Sequence, residues 1–597
     1  MNTHPEQTAE SHPIEEASLS TQPEERRHTI LPLGLLAFLA SCGGGGQSSN
    51  TAADPPGTPT QQEAARFLLH AQFGASYSEI AEVKKMGFEA WLDKQMALPS
   101  SLSGWDWLKS KGYDAVDQNE FFFNDQPTNY MVWYQIMASP DQVRRRMALA
   151  LSEFFVVSNQ GIQLNWPSFA MANYWDILCQ HAFGNYRQLL EAVTLSNAMG
   201  SFLNTLGNQK EDPRSGRQPD ENYAREVMQL FTLGVYELNL DGTVKTSGGV
   251  PLETYTQADV TGLARVFTGY DFDTSDGVRH TPPGQSYTIE SRTFASKRMS
   301  FNASRHSMLE ARFLGTTVPA NTAGATALKM ALDTLFNHPN AGPFFARQMI
   351  QRLVTSNPSP AYVARVAARF NDNGAGVRGD LKAVWVAILL DDEARGPGSL
   401  QSTTFGKLRE PMLRFVQWAR TFGVTSAAGS WKIFELNNAA SQLGQSPLRS
   451  PSVFNFFRPG YVPPGTALSA SGATAPEFQL VNETTVGGYL NFMQSVIERG
   501  INCPNPAVPQ AAWDNYAYDV QANYATELSL VADANALVNH VCLVLAAGQI
   551  SSASRGTMVA ALNATPVTTA STQTVKLRRV WAAILMVMAS AEYLIQK

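Results

Sequence analysis

The sequence is short of charge, of cysteine and of long apolar runs, and each shortage excludes a class of function. Asp, Glu, Lys and Arg make up 16% of the 597 residues, against about 25% in ordinary soluble chains. Lys and Arg number 45 and Asp and Glu 51, a formal net charge of −6. Binding along a phosphate backbone needs a basic surplus, so nucleic acid is excluded as the main partner. No apolar run reaches the ~18 residues of a spanning helix. Four cysteines cannot staple a fold of this length, and the spacing of Cys179, Cys503 and Cys542 fits no zinc pattern. G-x-S-x-G and Walker motifs are also missing, and with them the commonest acyl-hydrolase and P-loop signatures. What is present is a hydrophobic fraction of 44%, which excludes disorder throughout and leaves material for one large or several ordinary domains.

Residues 1–41 read as a signal region. Its long n-region is polar and ends near Arg26-Arg27; the h-region spans 30–40, Ile-Leu-Pro-Leu-Gly-Leu-Leu-Ala-Phe-Leu-Ala. As a helix this covers about 16 Å, half a hydrocarbon core, the length of a signal-peptide segment rather than a span. Leu39-Ala40-Ser41-Cys42 resembles a bacterial lipobox, in which small residues flank the cleavage site and the Cys thiol takes the lipid. The expected partner is therefore a membrane, through a lipid anchor on Cys42. Gly43 lacks the acidic character that goes with inner-membrane retention, so the expected location is the outer membrane, with secretion as the alternative. The Arg pair also resembles a twin-arginine signal, though His28-Thr29 fits that pattern poorly. Residues 42–61 are rich in Gly, Ser, Thr and Pro and read as a flexible tether. Outside the cytoplasm Cys503 and Cys542 form a candidate disulfide, which spacing alone does not establish.

The body, 62–597, reads as mainly α: a large multi-helix body with one or two small β-hairpins. Amphipathic patterns predict helices over 62–73, 142–157, 221–233, 325–336, 341–354, 361–370, 381–390, 410–422 and 576–595. Thr256 opens a further helix with Asp259 in a capping-box position. Asp241-Gly242 predicts a hairpin within 236–245, and 287–301 another strand. Residues 384–390 and 580–586 share a Val-Trp-led pattern and read as two buried helices of similar packing.

Several segments carry a resemblance. They are Asp220-Glu-Asn-Tyr-Ala-Arg-Glu-Val-Met-Gln-Leu-Phe-Thr-Leu-Gly234, Tyr255-Thr-Gln-Ala-Asp-Val260, Ala264-Arg-Val-Phe-Thr-Gly-Tyr270, His338-Pro-Asn340, and Ser450-Pro-Ser-Val-Phe-Asn-Phe-Phe-Arg-Pro-Gly-Tyr461. In this order they resemble the domain of unknown function 1800 family, from about Gln62 onward. The resemblance implies a bacterial, exported protein, with an exported phosphatase-like-fold protein encoded nearby as partner. It carries over no catalytic residue and no cofactor. One departure stands at His306, where the family pattern has an acidic residue and a Gly soon after the His and this chain has Ser-Met-Leu-Glu.

Candidate chemistry centres on Glu226, Asp259 and His306, acid–base residue types that would serve a hydrolase if they converge. Glu226 and Asp259 are expected to face each other across neighbouring helices. Each also has an ordinary role: Glu221 and Arg225 as an i, i+4 pair, Asp259 as a cap, and His338 as a helix stop. Asn371-Asp-Asn-Gly374 with Asp380 lacks the ligand spacing of a calcium loop, and Asp391-Asp392-Glu393 is explained by Arg395 and solvent. No metal ligand set is assigned. Ser152 and Ser450 have no diagnostic context, and the aromatic stretches 119–133 and 454–461 read as core more than groove. The leading expectation is an envelope lipoprotein that binds or scaffolds. The alternatives are an exported hydrolase of an extracellular polymer and a surface-displayed cargo protein.

Overall fold

The first helix of the body starts where its capping residues put it. In the computed structural model, which describes residues 57–117, 120–501 and 518–597, Thr60 Oγ accepts the Glu63 amide, and the Glu63 carboxylate accepts the Thr60 amide at 2.8 Å. This capping box opens the helix Gln61–Ala71. The signal region, Cys42 and Cys503 lie outside the described residues. Thr256 and Asp259 form a second box at the start of Gln257–Val266. Pro167, Pro360 and Pro411 each begin a helix, where the missing N–H costs nothing.

The fold is mainly α, with 26 helices and only short two-stranded antiparallel sheets among the described residues. Observed helices follow the predicted ones closely: Gly324–Asn337, Ala341–Leu353, Pro360–Asn371, Leu381–Leu389 and Pro411–Thr421. Three predicted helices end early, the one predicted to 595 stopping at Ala589. Asn222–Gln229 stops before Leu230, because Gly234 closes the turn onto the Met228 carbonyl. Gln142–Ser152 gives way to a run of buried residues, Phe154 to Val157, in turn and extended conformation.

At the centre of one bundle, helix Pro167–His181 packs against Gly104–Ser110, Gln126–Ala138, Gln142–Ser152 and Tyr186–Thr194. Ala341–Leu353, Pro360–Asn371 and Leu381–Leu389 stack in succession, and Ala534–Ala546 packs on both Gln573–Ala589 and Gln61–Ala71. The two Val-Trp helices do not pack alike. Trp385 is fully buried and donates from Nε1 to the Ala182 carbonyl at 2.6 Å, whereas Trp581 is only partly buried.

The predicted hairpin is present as an arm, with bridges Tyr236↔Glu253 and Leu238↔Val244 and strands Thr246–Ser247 and Val250–Pro251. Other two-residue pairs join distant parts of the chain: Lys407–Leu408 pairs with Ile595–Gln596, and Thr425–Ser426 with Val520–Gln521. Gly262 lets helix Gln257–Val266 lie against strand Ala311–Phe313, since a Cβ there would sit 1.9 Å from the Arg312 carbonyl oxygen.

Phe231, just past the Asn222–Gln229 helix, is fully buried against Phe155. Phe231→Ala should cost about 3–5 kcal/mol through lost transfer energy and a residual cavity. Urea unfolding of both proteins measures this, and an unchanged midpoint would place the residue at the periphery.

Candidate functional site: a buried ionic cluster

Asp259 and His306 are held by separate structural partners, and Glu226 is buried apart from both. Glu226 is buried on the inner face of its helix, and its Oε2 has no hydrogen-bond partner. Burial pushes its carboxyl up, against a smaller pull from Arg225. Asp259 accepts from the Thr256 amide and hydroxyl at 2.8 and 2.6 Å and from the Leu314 amide at 2.7 Å. Partial burial pushes its carboxyl up, but these bonds together hold it below the usual range. His306 is buried, with Nδ1 at 2.9 Å from the Thr268 carbonyl and Phe301 edge-on to the ring.

Among the described residues, no hydrogen bond or ion pair joins the three. Nor does any group of three or more His, Cys, Asp and Glu stand ready for a metal ion. The acid that does face the second helix is Glu221, which accepts from Gln257 Nε2 and Thr261 Oγ1, both at 2.7 Å, and pairs with Arg225 at 3.3 Å. One helical residue turns about 100°, so Glu221 and Arg225 share the outer face while Glu226 turns inward.

The remaining candidates have local tasks. His338 caps a helix and accepts the Asn340 amide on Nδ1. Asp380 caps Leu381–Leu389 and holds Asn373. Arg395 reaches Asp392 at 3.9 Å as expected of the acidic run, while Asp391 is paired by Arg365 at 2.7 Å and Glu393 accepts from Ser359. Cys542 is a buried thiol that burial pushes up to about 12; its candidate partner Cys503 lies outside the described residues. The aromatic stretches divide, with Phe122, Trp133 and Phe457 in the core and Phe123 and Phe454 exposed.

The concentration of buried charge lies elsewhere, where five segments meet. Lys407 Nζ lies 3.0 Å from Glu477 Oε1 and 3.6 Å from Glu410 Oε1, and donates to the Arg352 carbonyl at 2.8 Å. All four residues are at most 6% exposed. Gln445 donates to the second oxygen of Glu410 at 2.7 Å. Arg146 donates to the same Arg352 carbonyl, and Arg352 donates to the Glu153 carbonyl at 2.9 Å. Arg352 Nε stands 3.9 Å from Glu153 Oε2. His70, buried alongside, is driven well below its usual range, first by burial and then by the surrounding Arg and Lys charges, so it is neutral.

Glu153 is the strained member. Neither carboxylate oxygen has a hydrogen-bond partner among the described residues. Burial, reinforced by Glu410, pushes its carboxyl well above the usual range despite Arg352, Arg146 and Lys407. It lines a small cavity with Ser152, Ser450 and Asn455, with room of ≈ 10 Å³ for the centre of a water-sized molecule, about one water. The loop over this cavity is held in costly backbone: Leu448 and Asn455 have φ of 57° and 63°, and the left-handed region costs a residue such as Leu about 1–2 kcal/mol. Arg449 clamps the loop by donating to Asn129 and Asp125, both at 2.8 Å. Chemically, this is a site that can hold a proton on Glu153. Its signals in the sequence were the Arg144-Arg145-Arg146 run ahead of apolar residues, and Lys407 and Glu410 beside a helix start.

The fold and the cluster define a mainly helical protein whose distant segments are joined by buried ion pairs. The chain belongs to the family described as Protein of unknown function (DUF1800), which matches residues 66–595. No curated protein and no solved structure matches it.

The raised carboxyl of Glu153 gives a pH signature. The native state holds its proton to higher pH than the unfolded chain. Its contribution to stability is therefore full below the ordinary value of 4.5 and is lost as pH rises through the folded value. Glu153→Gln copies the protonated form, so its urea midpoint should gain on the wild type between pH 5 and pH 8. Parallel pH profiles for the two proteins would refute this.

Proposed function

We propose that the chain is an exported bacterial lipoprotein, anchored through Cys42 to the outer membrane, whose helical body binds or scaffolds a partner in the cell envelope. The address rests on the lipobox-like Leu39-Ala-Ser-Cys42 and the tether behind it. The body's first helix begins at Gln61, leaving a linker long enough to hold it off a surface. The observation that carries the binding role is the arm after the Asn222–Gln229 helix. There Val235, Tyr236, Leu240, Val244 and Val250 are each at least 40% exposed on backbone-paired strands. Concentrated exposed apolar residues mark contact surfaces rather than ordinary solvent-facing chain. The partner favoured is a second exported protein, of the phosphatase-like-fold class that the family resemblance implies.

A hydrolase built on Glu226, Asp259 and His306 draws no support from the geometry, because no hydrogen bond or ion pair joins the three among the described residues, and Asp259 and His306 are engaged elsewhere. Glu153 beside Ser450 gives that reading its one foothold, in a space that holds about one water.

Detergent phase separation tests the anchor: wild type should partition into detergent and Cys42→Ser should stay aqueous or uncleaved. Equal partitioning would end the lipoprotein reading. For the arm, Val244→Asp with Val250→Asp should keep the melting temperature and lose in-cell crosslinks to the partner, while unchanged crosslinks would move binding off the arm.

A further inference from the structure

A second cavity, distinct from the one beside Glu153, has room of ≈ 180 Å³ and is formed where three segments distant in the chain meet. Its walls include Arg66 and Phe67 from the first helix, Phe88 at the start of Phe88–Met96, and Arg395. Arg66 is only 4% exposed. Its Nε donates to the Lys597 carbonyl and its Nη1 to the Arg395 and Gly396 carbonyls, all at 3.0 Å, while Nη2 has no hydrogen-bond partner. Among the described residues no side-chain carboxylate is paired with Arg66. These oxygens and the nearby Glu63 charge offset the buried guanidinium only in part, and Nη2 is left without a partner.

Arg395 adds a second cation, stacked 4.9 Å over the Phe88 ring and donating from Nε to the Leu390 carbonyl. Phe88 meets Phe67 edge-on at 5.0 Å, so an aromatic corner stands beside the two guanidiniums. Two carboxylates also line the cavity. Glu63 is tied to the Thr60 cap, and Asp392 points fully into solvent, 3.9 Å from Arg395 Nη2. The wall charges thus sum to about zero, a balance that tolerates one added negative charge beside the guanidiniums and disfavours two.

We propose that this cavity binds a small organic monoanion, a carboxylate carried on an apolar body. The carboxylate takes the guanidinium side, and the apolar body lies against Phe67 and Phe88. Neither the lipid anchor nor the arm is involved, so the proposal stands apart from the function assigned above.

Calorimetry on the detergent-solubilised full chain tests it, with benzoate, acetate and inorganic phosphate as probes. Wild type should bind benzoate saturably, more tightly than acetate and more tightly than phosphate. Arg395→Gln, at a half-buried position, should weaken benzoate at least about tenfold. Phe88→Leu keeps both cations and should narrow the gap between benzoate and acetate. Absence of saturable benzoate binding to wild type, equal affinity in Arg395→Gln, an unchanged gap in Phe88→Leu or tighter phosphate binding would each overturn the proposal.

Discussion

The body depends on buried ion pairs at a junction of distant segments. Lys407 lies between Glu410 and Glu477 while Arg146 and Arg352 border Glu153, all nearly inaccessible to water. Taking such groups out of water costs several kcal/mol per ion, and mutual attraction returns the cost only when the geometry is right. The segments that supply them therefore have little freedom. Helix Gln142–Ser152, the end of Ala341–Leu353, the start of Pro411–Thr421 and the turn Pro476–Leu480 must all arrive together. An ion pair of this kind is weak evidence for net stability. It is better understood as fixing which segments meet, because any other register leaves a charge buried alone.

The loop around Ser450 shows the same constraint. Its left-handed residues are affordable because Arg449 is anchored on both sides and because the Ser158 hydroxyl and Asn159 amide bind the loop's carbonyls. Strain of this kind persists only where surroundings over-determine it. Glu153, held toward its protonated form beneath that loop, is where the cluster's charge is least well satisfied. The arm after Asn222–Gln229 is the opposite case, with backbone groups paired and apolar side chains left to solvent.

Helices, caps and the first hairpin were legible in the sequence, because they are set by spacing and by chemistry within four residues. Thr256-Asp259 predicts a capping box from identity alone, and amphipathic periods place most helices within a few residues of where they lie. The candidate site was not legible in the same way. Glu226 and Asp259 were expected to face each other, but the helical repeat turns Glu226 into the core and leaves Glu221 to bridge the helices. The acidic run 391–393 was assigned to Arg395 and solvent; Arg395 reaches only Asp392, while Asp391 pairs with Arg365 on another helix. Local proximity cannot rank partners that approach through space.

What the sequence determined by itself is the mainly helical class and the family, since each is written in contiguous residues. What only the tertiary structure decided is the company each charged residue keeps. Arg66 and His70 on the first helix, Glu153, Lys407 and Glu477 look like ordinary surface residues in a linear reading. They are buried because segments hundreds of residues apart fold onto one another. The physical reason is range. Backbone hydrogen bonding and capping act within one or two turns, whereas the desolvation of a charge depends on every segment packed around it.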